Sequence, residues 1–139
     1  MAGSRVFAYG TLEVGELVEA LVARRLPGEP AVLRGWARSM VRGTHHPGIA
    51  PQAGSETTGT LYSGVDAAAL AALDRFEGEL YERREVEVEI AGGARRGALV
   101  WVVRAELRHV LTGEPWDRER FVADHLREWL AGVSGPWQR

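Results

Sequence analysis

The segment "YERREVEVEIAGGARRGALVWVV", residues 81–103, constrains the fold more than any other part of the chain. Between positions 85 and 90 glutamates alternate with branched aliphatic residues, which is the period of a strand with one solvated and one buried face. Gly92 and Gly93 follow, and glycines supply the positive φ angles of a hairpin turn. The next run, "GALVWVV", is apolar on both faces, as in a central strand. The segment therefore predicts an antiparallel hairpin inside a larger sheet.

Three segments have the helical period, two of them between predicted strands and the third after the last strand. The first, "EVGELVEALVARR", carries the apolar stripe of an amphipathic helix. Asp66 is expected to cap a second helix over "AAALAALDRF". Asp117 is expected to cap a third helix that continues to Leu130, with Trp116 and Phe121 at the staple positions. Hairpins mixed with single helices, without regular βαβ alternation, predict an α+β fold around a mostly antiparallel sheet that could close into a small barrel.

Two other stretches lack a continuous period. "RVFAYGTL", residues 5–12, predicts a short buried strand that breaks into a tight loop at its glycine. Residues 42–56, "RGTHHPGIAPQAGSE", are punctuated by glycine and proline. We therefore expect a long loop, or several short bends, between the strands that flank residues 42–56.

Length and composition restrict the class of protein. The 139 residues suit one domain spanning 1–139, and the net charge of −2 with scattered arginines argues against a nucleic-acid partner. The absence of cysteine excludes disulfides and thiolate chemistry. The apolar run at the N-terminus is too short for a signal peptide or a membrane span. The composition predicts a soluble cytoplasmic protein with no membrane partner.

Glu77 interrupts an apolar pattern. It follows Leu73 by four residues and Leu70 by seven, so a helix that continues through Phe76 would direct the Glu77 carboxylate to the apolar side. Burial would raise its pKa above the ordinary value of about 4.3, which suits a general acid or base. The pattern supports equally well that Glu77 is the last helical residue and that its side chain points outward before Gly78.

The "YGTL" stretch, residues 9–12, allows a similar choice. A glycine between a strand and a helix lets backbone amides approach a carboxylate or an oxyanion. By itself the pattern favours an ordinary turn, since it is no phosphate-binding loop. Neighbouring His45 and His46 project differently and lack an acidic partner, so no metal site is expected. No serine lies in a "GxSxG" context, which argues against a serine hydrolase.

Five fragments together resemble the γ-glutamylcyclotransferase family, specifically its AIG2-like branch. They are "VFAYGTL", "HPGIAP", "GTLYSG", "LDRFEGELYERREVEV" and "ALVWVV", whose order and separation match from about Val6 to Val103. The combination of "YGTL" with "LDxFEGxxYxRxxV" some sixty residues later is the specific part. The segment from Asp117 to Leu130 also resembles the end of bacterial members.

The resemblance implies a small β-barrel flanked by helices, with a cavity at one barrel end. Glu77 would be the catalytic acid and base. Tyr81 would line the cavity, although strand alternation gives it the polar parity of Glu85, so a bulge or the start of the strand must intervene. Backbone amides of the "YGTL" loop would bind the carboxylate or carbonyl end of a γ-glutamyl group; these residues are Tyr9, Gly10, Thr11 and Leu12.

The implied chemistry needs neither cofactor nor metal. The α-amino group of a γ-glutamyl amide would attack its own γ-carbonyl, giving 5-oxoproline and a free amine. One alternative is a non-catalytic module that binds a γ-glutamyl or carboxylate ligand, and another is a domain that docks a partner. The sequence leaves open the identity of the leaving amine and the oligomeric state.

Overall fold

Five β-strands close into a barrel within residues 3–133, the part of the chain that the computed structural model describes. Their order around the barrel is β1-β3-β2-β4-β5, with β1 parallel to β5 and the other neighbours antiparallel. The strands are β1 Ser4–Ala8, β2 Gly28–Met40, β3 Pro47–Val65, β4 Tyr81–Ile90 and β5 Arg95–Val103. The predicted α+β barrel is confirmed, while a single domain over 1–139 stays a prediction.

The helices form a second layer against one side of this barrel. The described residues contain α1 Gly15–Val22, α2 Ala67–Glu77, α3 Arg118–Asp124 and α4 Leu126–Val133. One apolar cluster fills the barrel interior, and a second lies between the barrel wall and helices α1 and α2. No helix among residues 3–133 is long and apolar enough to cross a membrane.

The β4–β5 hairpin is confirmed. Its pairing runs without irregularity from Tyr81 opposite Val103 to Glu89 opposite Arg95. Gly92 and the glycine after it take φ angles of 84° and 85°, as the turn prediction requires. The connection is longer than a two-residue turn, because a 3₁₀ turn over Ala91–Gly93 lies inside it. Strand β5 pairs with both β4 and β1, which confirms its central position.

The expectation of a long loop over residues 42–56 is wrong for most of that stretch. Strand β3 begins at Pro47 and pairs with β2 along nearly its whole length, so only residues 41–46 connect the two strands. The pairing register shifts between Arg34 and Trp36, where Gly35 has a φ of 86°, and Gly54 on β3 has a φ of 84°. The glycines therefore bend a continuous ladder, as at a β-bulge, instead of ending it.

Both predicted helix caps are confirmed. A carboxylate oxygen of Asp66 accepts from Ala69 N at 2.8 Å, and one of Asp117 accepts from Arg120 N at 3.2 Å. The third helix is nevertheless two helices, because His125 leaves helical geometry with φ −132°. The ring centroids of His125 and His45 lie 3.6 Å apart, a long-range contact that local sequence patterns do not predict.

Candidate active site

A cavity of about 60 Å³ lies at one rim of the barrel, where β1 ends, β4 begins and α2 ends. One water molecule needs about 10–15 Å³ of accessible volume, so the cavity has room for about five water molecules. Its lining combines backbone from the "YGTL" loop with rings and one carboxylate. The lining residues are Phe7, Ala8, Tyr9, Gly10, Thr11, Leu12, His46, Pro47, Phe76, Glu77, Tyr81, Trp101 and Trp129.

Glu77 is the last residue of α2, and its carboxylate lines this cavity. One of the two sequence alternatives made Glu77 the last residue of the helix, and this is correct. The other placed its side chain on the apolar side, and this is also correct, because Glu77 lines the cavity. The carboxylate makes no hydrogen bond or ion pair with the described residues. Burial first, and then the negative charge of Asp74, raise the pKa of Glu77 to about 8.

The loop from Tyr9 to Leu12 lines the same cavity as Glu77. Gly10 packs so closely on Pro47 that a Cβ at this position would lie 2.7 Å from the proline ring, which accounts for the glycine. A 3₁₀ turn over Thr11–Glu13 follows, and Glu13 N donates to Gly10 O at 2.8 Å. The amides of Gly10, Thr11 and Leu12 donate to no acceptor among residues 3–133. These donors are free for a ligand.

The carbonyl groups of the same loop are bound by the surrounding protein. Arg38 Nη1 donates to Tyr9 O at 2.7 Å, and the Tyr62 hydroxyl donates to Leu12 O at 2.7 Å. The Tyr9 hydroxyl in turn donates to Trp101 O at 2.6 Å. Carbonyls held on the protein side preorganise the loop, so its free amides keep their position before any ligand arrives.

Tyr81 is only 5% exposed and lines the cavity. No bulge interrupts its pairing register, so it does share the face of Arg83 and Glu85, as alternation predicted. Helix α2 and the chain near Pro47 cover that face at the start of the strand. Tyr81 therefore reaches the cavity through its place at the strand's start, the second of the two routes expected from the sequence.

The Tyr81 hydroxyl contacts the last residue of the 41–46 connection and the first residue of β3. It donates to Pro47 O at 2.7 Å and lies 2.8 Å from His46 Nδ1. Because the single hydroxyl proton serves Pro47 O, Nδ1 of His46 is the donor to the Tyr81 oxygen. Burial lowers the pKa of His46 and keeps the ring neutral, which leaves its Nε2 as an acceptor.

Asp74 connects α2 to the barrel one helical turn before Glu77. Its Oδ1 accepts from Trp101 Nε1 at 2.8 Å, and its Oδ2 is paired with Arg83. The sequence analysis assigned none of Asp74, His46, Trp101 and Trp129 to the site, and it considered His46 only as a metal ligand. Asp74, His46 and Trp101 lie in the quoted family fragments "LDRFEGELYERREVEV", "HPGIAP" and "ALVWVV", which was the available signal. Trp129 comes from the last helical segment, and only folding brings it to the cavity.

Comparisons with known proteins point to one family. The family described as "Gamma-glutamyl cyclotransferase, AIG2-like" matches residues 6–118. Protein AIG2 C of Arabidopsis thaliana is 30% identical over 128 residues, which cover 90% of this chain and 76% of that protein. A solution structure of an Arabidopsis thaliana protein is similar with a TM-score of 0.73 at 26% identity, and the match covers 96% of this chain and 81% of that chain.

A solved structure named gamma-glutamyl cyclotransferase has a similar fold. Its TM-score is 0.66 at 18% identity, and the match covers 75% of this chain and 68% of that one. At this identity the likeness concerns the fold alone.

Proposed function

The chain belongs to the AIG2-like γ-glutamyl cyclotransferase family, and from that premise we propose that it cyclises the γ-glutamyl group of a γ-glutamyl amino acid or amine. The products are 5-oxoproline and the free amine. One observation supports the proposal: a single small cavity is lined both by Glu77, whose carboxyl has no partner among the described residues, and by residues 10–12, whose amides donate to no described acceptor. A base facing a set of oxyanion donors is the constellation that acyl transfer needs.

In the proposed mechanism Glu77 takes a proton from the α-ammonium group of the substrate. The freed amine forms the new C–N bond to the γ-carbonyl carbon, and amides of Gly10 to Leu12 donate to the oxyanion. The bond to the leaving nitrogen then breaks as Glu77 returns the proton to that nitrogen. The Glu77 carboxylate next takes the second proton from the new ring nitrogen and passes it to the released amine, which leaves 5-oxoproline as a neutral lactam. Since the nucleophile belongs to the substrate, the chain needs no serine or cysteine for the attack, and a cavity of this size favours the folded conformer.

The acidity of Glu77 suits both proton transfers. A carboxyl with a pKa of about 8 takes up and gives back protons near neutral pH, whereas an ordinary carboxylate would be a poor acid there. An ammonium group in the cavity would favour the ionised form of Glu77. The substrate itself thus helps to create the base.

Tyr9 and Tyr81 are proposed to shape the cavity instead of transferring protons. Burial raises the pKa of both hydroxyls, with the nearby Glu77 adding to the effect, so neither ionises near neutral pH. Each hydroxyl also donates to a backbone carbonyl, Trp101 O or Pro47 O. The two rings therefore form fixed walls that position the glutamyl chain.

The test is release of 5-oxoproline from a panel of γ-glutamyl amino acids and γ-glutamyl amines. Glu77→Gln is expected to lower kcat/KM by about 10²–10⁴, the usual contribution of a general acid-base group, while far-UV circular dichroism stays unchanged. Glu79→Gln, an exposed carboxylate two residues further on, is the matched control and should turn over like the wild type.

The pH profile tests the assigned role separately. For the wild type kcat/KM should rise with pH through the pKa of Glu77, about 8, because only the ionised form accepts the proton. The same rise in Glu77→Gln would exclude that role. If a panel member binds the wild type and none is turned over, the chain is a binding module for γ-glutamyl or carboxylate ligands and not an enzyme.

A further inference from the structure

A second, open cleft continues from the Glu77 cavity toward the surface. It has a volume of about 500 Å³ and lies between the 43–46 part of the β2–β3 connection and helix α4. His46, Phe76 and Trp129 line both spaces, so the cleft adjoins the cavity directly. Whatever extends from a group bound beside Glu77 would enter this cleft.

Aromatic rings dominate the junction between the two spaces. The Trp129 ring lies 5.6 Å from that of Phe76 and 5.8 Å from that of His46, in both cases edge to face. Such an array presents flat apolar surface with a preferred orientation for another ring. The junction is therefore built to contact a flat apolar group.

Glu128 is the only carboxylate among the described residues that line the cleft, and no arginine is among them. The Oε1 atom of Glu128 lies 3.5 Å from Nδ1 of His125. A second carboxylate bound there would lie beside Glu128 with no arginine to neutralise it, which is unfavourable. A neutral group, or one carrying a positive charge, meets no such repulsion.

His46 adds one polar group at the junction. Its Nδ1 is used by Tyr81, and its Nε2 has no partner among the described residues. An amide N–H at the start of a leaving group is a donor that this acceptor fits. The same residue thus borders the point at which a scissile amide would pass from the cavity into the cleft.

We infer that the cleft between residues 43–46 and α4 holds the leaving half of the substrate, and that the preferred leaving group is an amine with a flat apolar group and no carboxylate. This inference rests on the proposed cyclotransferase activity. Trp129 would contact the flat group and His46 the amide N–H. Glu128 would disfavour substrates whose leaving group is an amino acid.

Three substrates separate these contributions. They are γ-glutamyl methylamide, with almost no leaving group, γ-glutamyl 2-phenylethylamide, and γ-glutamyl phenylalanine, which adds only a carboxylate to the second. The phenylethylamide is expected to exceed each of the other two in kcat/KM by about tenfold, the effect of an aromatic contact or of one uncompensated charge. Equal values for all three would overturn the inference while leaving the cyclotransferase activity in place.

Variants test the residues through ratios of kcat/KM. Trp129→Ala should reduce the preference for phenylethylamide over methylamide at least about fivefold. Glu128→Gln should raise the value for the phenylalanine substrate relative to phenylethylamide about fivefold. Glu119→Gln removes a carboxylate of α3 that lies outside the cleft, and both ratios should stay at the wild-type values. Unchanged ratios in Trp129→Ala and Glu128→Gln would refute the assignment.

A binding measurement covers the case in which no compound is turned over. Calorimetric Kd values for the three amides on the wild-type chain would then decide between the outcomes. The same order of affinity would uphold the cleft as a ligand site although the proposed activity had failed. Equal affinities, or no binding, would overturn the inference as well.

Discussion

The interior of the barrel and the cavity at its rim are built from the same strands but differ in chemistry. The interior is packed mainly with apolar and aromatic side chains, including those of Leu33, Ile49, Val88 and Val100. A few residues away, the rim cavity contains Glu77 and several groups that can donate or accept protons. Tyr9 belongs to both regions, since its ring packs in the interior cluster while it also lines the cavity.

The comparison shows how burial acts in opposite ways on different groups. Each buried methylene of the interior stabilises the fold by roughly 0.8 kcal/mol. Burial of the Glu77 carboxyl without a partner disfavours its charged form and thereby raises its pKa to about 8. The interior therefore supplies stability, and part of that stability maintains a reactive group at the rim.

The largest expected effect comes from a cavity made in the interior. Leu33 is 2% exposed and belongs to the interior cluster, so Leu33→Ala should lower the free energy of unfolding by about 2–5 kcal/mol. Urea denaturation measures this change in the free energy of unfolding. The kcat/KM of the remaining folded protein should not change. A loss of turnover without a loss of stability would show that the two regions are not separate in function.

A smaller effect with the opposite sign is expected at the rim. The pKa of Glu77 is raised from 4.5 in an unfolded chain to about 8, so its contribution to stability is full below pH 4.5 and is lost as pH rises through about 8. Glu77→Gln removes this loss and should be more stable than wild type by on the order of 3 kcal/mol at about pH 9.

The control for this prediction is the same comparison at about pH 4, where both proteins carry a neutral side chain and should differ little. Thermal unfolding at the two pH values measures the difference. An equal difference at both values would mean that the Glu77 charge has no part in the stability of the fold.

Substitution of the rim glycine should have the next largest effect. In Gly10→Ala the new Cβ would meet the Pro47 ring, so the loop must shift, with a loss of about 1–3 kcal/mol in unfolding free energy and a higher KM. Gly15→Ala is the matched control because nothing lies within 4 Å of its added Cβ. Equal behaviour of the two variants would contradict the close approach of the loop to Pro47.

The smallest effect is expected from a single hydroxyl. Tyr81→Phe leaves Pro47 O and His46 Nδ1 without their partner and should lower the unfolding free energy by about 1–2 kcal/mol. Tyr62→Phe loses one buried bond, to Leu12 O, and should lower it less. Chemical denaturation of both variants measures the difference in unfolding free energy. A larger loss of unfolding free energy in Tyr62→Phe would contradict the two hydrogen bonds assigned to the Tyr81 hydroxyl.

Local patterns predicted much of the fold because they depend on neighbours in the chain. The alternation in β4 and the caps Asp66 and Asp117 follow from backbone geometry within a few residues. Where the pattern was punctuated by glycine and proline, the same reasoning failed. Pairing with β2 extends β3 through those residues, and a sheet partner cannot be read from the segment itself.

The candidate site, too, was predictable from the sequence only in part. Glu77, Tyr81 and the loop over residues 9–12 lie in contiguous fragments, and the sequence alone determined their identity and the family that carries them. Whether the Glu77 carboxyl faces solvent or a cavity was decided only by tertiary structure, because the last turn of a helix can direct its side chain either way. Residues from segments dozens of positions distant pack around the Glu77 carboxyl, limit its contact with water and so raise its pKa.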